Sequence, residues 1–347
     1  MFSSAIDVLR VEALSLQAYT AATHSLRIAI SRVQPALEAS KLEQELLDAA
    51  DIAPDLTRWR VMEHSLVVGR LYAIYETFCE SLLSDWIDFL TTNFSYSDLP
   101  EKMIEYYPHG FSAIMTMLPS PRYPSLTREG MISRYHGALQ GVEGYSLNSE
   151  CLVHHKNNLR LEELSDIFGR CGLEAVGEWA AKSPDLVSAL PNGNDRALDQ
   201  IKSRLSDFIQ YRNDSSHGGV SPDEILGHEE LDELVDFIMA LANSIDSFVK
   251  WKIVEKLLKL GEAHAVGHVT EVFPKSNACI CVTEKISVSA GQAVLVRKAG
   301  NFYEDEIISI RHNDLDVDSY KAEPGVELGF RLGRLPAKGS KVFSIKA

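Results

Sequence analysis

The chain has 347 residues, 45% of them hydrophobic and 24% charged, a globular balance that excludes wholesale disorder and leaves room for two domains. With 34 Lys and Arg against 49 Asp and Glu, the net charge is −15, so there is no general cationic coat for nucleic acid or anionic membrane. Any nucleic-acid contact must be made by a few well-placed basic groups.

Residues 1 to about 260 read as helical. Ile6, Leu9, Leu14 and Leu16, then Leu26, Ile28 and Ile30, predict a first helix ending before Pro35. Trp59 to about Leu90 predicts a second, with Tyr72, Tyr75, Cys79, Leu82, Leu83 and Trp86 at helical spacing. Pro100, Pro108, Pro119, Pro121 and Pro124 weaken the pattern between Phe94 and Leu152, where short helices and loops are expected. Asn157-Asn158-Leu159-Arg160 offers a cap before Leu161, Leu164, Ile167 and Phe168. Leu198, Ile201, Leu205, Phe208 and Ile209 form the apolar stripe of a helix from Asp195 to Arg212, with Asn194 or Asp195 at its start. A turn is expected at Gly218-Gly219. Ser221-Pro222-Asp223-Glu224 reads as the opening of a long last helix carrying Leu231, Leu234, Val235, Ile238, Ile245 and Phe248.

Near Gly261 the pattern becomes β-branched. Val266, Val269, Val272 and Phe273, then Ile280, Val282, Ile286 and Val288, then Val294, Leu295 and Val296 are punctuated by glycines. A small all-β barrel of six or seven strands is expected over 261–347, after a helical domain over 1–260, so the fold class is mainly α. From Glu262 onward eleven basic and eleven acidic residues balance, which puts the whole negative surplus in the helical part. The barrel is therefore the less repulsive of the two to a polyanion.

No apolar run reaches membrane length; the best, Leu231 to Val249, is cut by Asp232, Glu233, Asp236 and Asp246. Residues 1–10 lack the unbroken apolar core of a targeting signal. Five scattered cysteines (Cys79, Cys151, Cys171, Cys279, Cys281) suit free thiols in a reducing compartment, and a cytoplasmic protein is expected. There is no P-loop, dinucleotide glycine fingerprint, HExxH or CxxC pair. Cys279-x-Cys281 falls in an expected strand, with its side chains assigned to opposite faces, and reads as packing rather than a metal site.

The segment Tyr211-Arg212-Asn213-Asp214-Ser215-Ser216-His217-Gly218-Gly219 carries the chemistry. Arg212 can clamp a phosphate with its planar fork, and His217 can move a proton near neutral pH. On an ideal helix the two would diverge by about 140°, so the helix has to end or bend between them. Asp214, Ser215, Ser216 and the glycines favour that bend. The competing reading is a helix C-terminus where Arg212 and His217 simply answer the macrodipole.

Arg-Asn-x-x-x-His, between an amphipathic helix and a further long one, resembles the R-x4–6-H motif of the HEPN superfamily. Leu71-Tyr72-Ala73-Ile74-Tyr75-Glu76-Thr77-Phe78 and His155-Lys156-Asn157-Asn158-Leu159-Arg160, leading to Ile167-Phe168-Gly169-Arg170-Cys171-Gly172-Leu173, resemble the branch found in prokaryotic defence and toxin contexts. The resemblance covers about residues 1–255. It implies a helical bundle that forms a homodimer, with two motifs in one composite cleft, acting as an RNA endonuclease without metal or other cofactor. Arg212 and His217 would be the catalytic pair, with Asn213 as the adjacent polar residue. The setting it implies is growth arrest or phage defence, with an antitoxin or phage-derived partner. The alternative it leaves is a catalytically inactive RNA-binding or scaffolding HEPN protein whose barrel docks a partner.

Glu76 lies on or beside the stripe Tyr72, Tyr75, Cys79, Leu83, where a carboxylate is costly without a partner. Either it pairs with Arg212 or lines the same cleft, or it bridges to an arginine elsewhere or sits exposed at the stripe's edge. His154, His155, Lys156 and Arg160 stand at an expected helix start; they extend an RNA track or form a solvated loop. His64 and His136 are read as structural. The barrel resembles the second domain of translation elongation factor Tu, through Gly267-His268-Val269-Thr270-Glu271-Val272, Val288-x-x-Gly291 and Ala322-x-x-Gly325-x-x-Leu328-Gly329-Phe330. That resemblance implies a surface turned toward tRNA or the translation machinery. Arg297, Lys298, Arg331 and Arg334, with Lys338 and Lys341, are then its RNA-facing cations, or else simply a soluble barrel surface.

Overall fold

A computed structural model describes residues 4–32, 40–216 and 221–346. The chain forms two compact units, Met1–Glu174 with Ser188–Asn243, and Ala175–Val187 with Ser244–Ala347. The helices are α1 (Ala5–Arg32), α2 (Lys41–Ile52), α3 (Leu56–Asn93), α4 (Glu101–Met117), α5 (Arg128–Leu139), α6 (Glu150–Val153), α7 (Leu161–Arg170), α8 (Val176–Ala180), α9 (Pro184–Ser188), α10 (Ala197–Ser216) and α11 (His228–Leu260). The strands are β1 (Ala263–Phe273), β2 (Ala278–Thr283), β3 (Ile286–Ser289), β4 (Ala293–Lys298), β5 (Asn301–His312), β6 (Leu315–Val317), β7 (Ser319–Ala322), β8 (Glu327–Leu332) and β9 (Lys341–Ile345).

The first unit is organised around α3. Asp55 opens this 38-residue helix by accepting hydrogen bonds from the Thr57 and Arg58 amides at 3.1 and 3.0 Å. Its buried residues, from Val67 and Val68 through Tyr72, Tyr75, Phe78, Leu82 and Trp86 to Leu90, face more than one direction, so neighbours wrap it. α1 and α10 both pack on it. The Trp86 indole donates to the Cys171 carbonyl at 2.9 Å, tying α3 to the end of α7.

Two elements differ from the sequence expectation. Pro108 lies inside α4, a 17-residue helix where only short pieces were expected. Its ring is exposed, while Met103, Tyr107, Gly110 and Ile114 bury a stripe on the opposite face, and that burial outweighs the lost backbone bond. Gly110 is required there: a Cβ would stand 1.6 Å from the Cys151 carbonyl oxygen, so only glycine lets α4 meet α6. The last helix opens at His228 rather than at Ser221–Glu224, which forms a turn. The Leu226 amide donates to His64 Nδ1 at 3.1 Å and the Gly227 amide to Glu230 at 2.6 Å, so side chains of two helices satisfy the entering backbone. His64 is thus structural, as expected. The Gly218-Gly219 turn lies outside the described residues.

In the second unit, six strands close a barrel in the order β4-β9-β1-β2-β8-β5, with β5 pairing back to β4. β6 extends the hairpin from β5, and β3 pairs with β7 in a separate ribbon. Val266, Val269, Val294, Val296, Ile307, Ile310, Leu328, Phe330 and Val342 fill the interior. Cys279 and Cys281 both point into this core, a correction to the opposite faces expected for them. Side chains two apart on a strand share a face, and the alternating burial of β2 follows that rule. All five cysteines are buried free thiols.

Candidate nucleic-acid interface

α10 carries Arg212 and Asn213 in its last turns. The helix does not break at Asp214–Ser216: Gln210 donates to Asp214 at 2.8 Å, and Ser216 Oγ to the Arg212 carbonyl at 2.9 Å. Asp214 and Ser216 thus bond along the helix instead of capping it, and the end or bend expected between Arg212 and His217 does not fall before Ser216. His217 lies outside the described residues.

The Arg212 guanidinium lies over the Tyr72 ring, with its carbon 4.9 Å from the centroid, and donates to Asn213 Oδ1 at 3.2 Å. Asn213 Oδ1 also accepts from Asn158 Nδ2 at 2.9 Å. This bond joins the end of α10 to the 154–160 segment between α6 and α7. The same segment is pinned to α3 from below: the Leu159 amide donates to the Tyr72 hydroxyl at 3.1 Å, and the Tyr75 hydroxyl donates to the Leu159 carbonyl at 3.4 Å. Phe208 of α10 packs on both tyrosines, with ring centroids 6.0 and 6.4 Å away.

Glu76 accepts the Tyr72 hydroxyl at 3.3 Å and lies 3.5 Å from His155 Nε2. Of the alternatives for Glu76, the structure has it lining this cluster without an ion pair to Arg212 among the described residues: the two flank Tyr72, one over its ring and one at its hydroxyl. Burial, with the Glu76 charge, drives the Tyr72 phenol far above its ordinary range, so it stays a neutral donor and acceptor.

His155 is 5% exposed, so it is not part of a solvated loop, whereas Lys156 beside it is exposed. Its Nδ1 lies 2.6 Å from the Asn157 carbonyl, and its Nε2 lies 3.4 Å from Glu80 and 3.5 Å from Glu76. The adjacent Glu80 carboxylate, helped by the Asn157 carbonyl and the Glu76 charge, pushes its pKa up against the effect of burial. Its neighbour His154 moves the other way, through burial and then through Arg122, His155, Lys156 and Arg170. Lys156 is exposed, while Arg160 is half-buried and donates to Ser206 on α10. Together with Asn157, Asn158, Glu162 and Glu163 they line an open cleft of about 490 Å³. Asn157 and Asn158 do not cap α7; they bond Glu163 and Asn213 instead.

Of the residues named from the sequence, Arg212 lies on Tyr72, Asn213 bonds Asn158, Glu76 stands at the Tyr72 hydroxyl, and Lys156 and Arg160 line the cleft that Asn158 shares; His217 lies outside the described residues. Sequence reasoning passed over Asn158 and Tyr72 as site members and left His155 undecided. The repeat of tyrosines three apart with a glutamate at i+4 from Tyr72 was the available signal.

The barrel cations are dispersed. Arg297 is half-buried between Trp251 and Trp179, at 4.1 and 5.9 Å from their centroids. Lys298 is exposed beside it. Arg331 is exposed and pairs in register with Ser309, whereas Arg297 pairs with Phe302, seven residues back along β5 or about 23 Å of strand. Arg334 lies over the Tyr303 ring at 4.8 Å. Among the described residues no group of three or more His, Cys, Asp or Glu side chains is placed to hold a metal ion, and no helix is long and apolar enough to cross a membrane.

The helical first unit, with Arg212-Asn213 in the last turns of α10, fits the HEPN class. The family model described as RiboL-PSP-HEPN matches residues 37–250, and the chain belongs to that family. Membership ties it to nuclease-type or RNA-related function. Neither a curated protein nor a solved structure matches the chain.

Proposed function

We propose that this protein is an endoribonuclease of the HEPN type. RNA carries its own nucleophile, the 2′-hydroxyl, so the protein has only to orient it, move protons and stabilise a crowded phosphate. In this reading His217 exchanges protons as base or acid, and Arg212 neutralises the developing charge. Asn213 holds the phosphate or the imidazole, and Glu76 orients Tyr72 beneath Arg212. The products are a 2′,3′-cyclic phosphate and a 5′-hydroxyl, with no metal needed. One observation carries the reading: the motif residues Arg212 and Asn213 meet Tyr72, whose hydroxyl donates to Glu76, and Asn158, from distant parts of a chain that belongs to an RNA-related family. Among the described residues the guanidinium spends one of its donors on Asn213, which leaves others for a phosphate.

The rest of the proposal follows the resemblance. A homodimer pairs two such motifs in one cytoplasmic cleft. The substrate is tRNA or another translation-related RNA, brought in by the barrel through Arg297, Lys298, Arg331 and Arg334, with Lys156 and Arg160 extending the track. The setting is a toxin or anti-phage effector restrained by an antitoxin or triggered by a phage component. The test incubates the purified chain with total RNA in EDTA, beside His217→Ala. Cleavage that the substitution abolishes, and that a single 2′-deoxy ribose at the cut site also abolishes, supports the enzyme. Binding without cleavage, unchanged by the substitution, overturns it in favour of a scaffold.

A further inference from the structure

His155 is held at both ring nitrogens. Nδ1 points at the Asn157 carbonyl oxygen, an acceptor only, so Nδ1 carries a proton in every state. Nε2 faces the Glu80 and Glu76 carboxylates and makes no well-aligned bond to either. A neutral imidazole in this place turns a lone pair toward two negative groups, whereas an imidazolium turns an N–H toward them. The other charges around it are few. Arg122 shares Glu80 at 3.4 Å, and the Tyr72 hydroxyl occupies Glu76. On the same segment His154 bonds the Tyr123 hydroxyl at 2.7 Å, and Lys156 stands exposed; Arg170 of α7 donates to the His154 carbonyl at 2.9 Å.

We infer that His155 is a positioning residue for RNA: as an imidazolium between Glu76 and Glu80, it offsets one of their two charges behind the 156–160 segment, so that Lys156, Asn158 and Arg160 can receive the phosphate next to the one at Arg212. This rests on the reading of the Arg212 cluster as an RNA site. Loss of the proton leaves two carboxylates facing the phosphate path across a short distance of protein, where charge is poorly screened. The effect falls on binding rather than on the chemical step, and it puts a pH limit on affinity above the ordinary histidine range. His154, whose pKa is lowered, titrates on the acid side and leaves that limit alone.

The test measures anisotropy of a fluorescent 2′-O-methyl RNA, which cannot be cleaved, against the full chain from pH 5.5 to 9. All proteins carry His217→Ala, which removes that imidazole's own titration. The expected result is an approximately tenfold loss of affinity as the pH rises through the His155 transition. Glu80→Gln shifts that transition to lower pH, and His155→Gln binds weakly at every pH. The double variant His155→Gln with Glu80→Gln regains most of the affinity, because the cation and the charge it answered leave together; a merely structural histidine allows no such rescue. An unchanged transition in Glu80→Gln overturns the inference, and that variant decides the matter even if His155→Gln does not fold. Absence of RNA binding by the chain at any pH overturns it too. The two readings fail separately. His217-dependent cleavage with no effect at Glu80 sinks only the role of His155. A Glu80-dependent binding limit with no cleavage by the unsubstituted chain sinks only the nuclease.

Discussion

Tyr72→Phe removes a single oxygen and keeps everything else the ring does: its packing on Phe208 and its face toward Arg212. What it takes away is the acceptor for the Leu159 amide at 3.1 Å, at a residue that is fully buried. An unsatisfied buried N–H costs about 1–3 kcal/mol, while Glu76, half-buried, recovers its lost donor from water. Opening of the 154–160 segment should therefore become easier by about 2 kcal/mol, and exchange of the Leu159 amide about 30-fold faster. Tyr75→Phe is the control. Its hydroxyl donates to the Leu159 carbonyl at a longer 3.4 Å, so its loss is worth about 0.5–1 kcal/mol, or no more than about fivefold in exchange. Hydrogen-exchange mass spectrometry of peptides spanning this segment, with barrel peptides as an internal reference, reads both. If Tyr75→Phe accelerates exchange as much as Tyr72→Phe, or neither does, the segment is not held through these hydroxyls and the account of the site's floor is wrong.

Arg212→Lys keeps the charge but loses the planar fork and the stacking on Tyr72, so cleavage should fall about 100-fold while RNA affinity changes only a few-fold; single-turnover kinetics separate the two. Glu63 and Arg27 form a buried ion pair to which Thr23 also donates. Glu63→Ala strands the Arg27 charge and should cost about 3–5 kcal/mol in denaturant unfolding, most of it recovered by Arg27→Met with Glu63→Leu. Burial lowers the His64 pKa, so the unfolded chain takes up a proton there before the folded one does. Its contribution to stability is whole above about pH 6.5 and is lost as the pH falls toward the folded value, by up to about 1.4 kcal/mol per unit. Urea titrations at pH 7 and pH 5 should show a smaller acid loss in His64→Gln than in the unsubstituted chain.

The stripes of α3 and α10 were legible because burial on one side imposes a period near 3.6, and the barrel because alternation imposes a period of two. Arg212 and Asn213 were legible as a local motif. Pro108 and Ser221–Glu224 misled for one reason: their signals are local, and they were outvoted by the buried face of α4 and by the satisfaction of the Leu226 and Gly227 amides at His64 and Glu230. His155 was illegible in a deeper sense. Its partners Glu76 and Glu80 stand far away along the chain, and no rule of spacing brings a loop imidazole to a helix face so distant in sequence. Asn158 looked like a cap because asparagines before a helix usually are; here its amide reaches Asn213 instead.

Barrel closure depends on five residues. β9 lies between β1 and β4, with Ala263 opposite Ile345 and Leu295 opposite Phe343, and it follows every other strand in the chain. A product cut short before Lys341 keeps all other pairings yet exposes two bare margins, each a row of unpaired amides and carbonyls ready to recruit a stray strand. Truncation there yields a sticky ribbon rather than a slightly smaller barrel, so a ragged carboxyl end would first be noticed as aggregation.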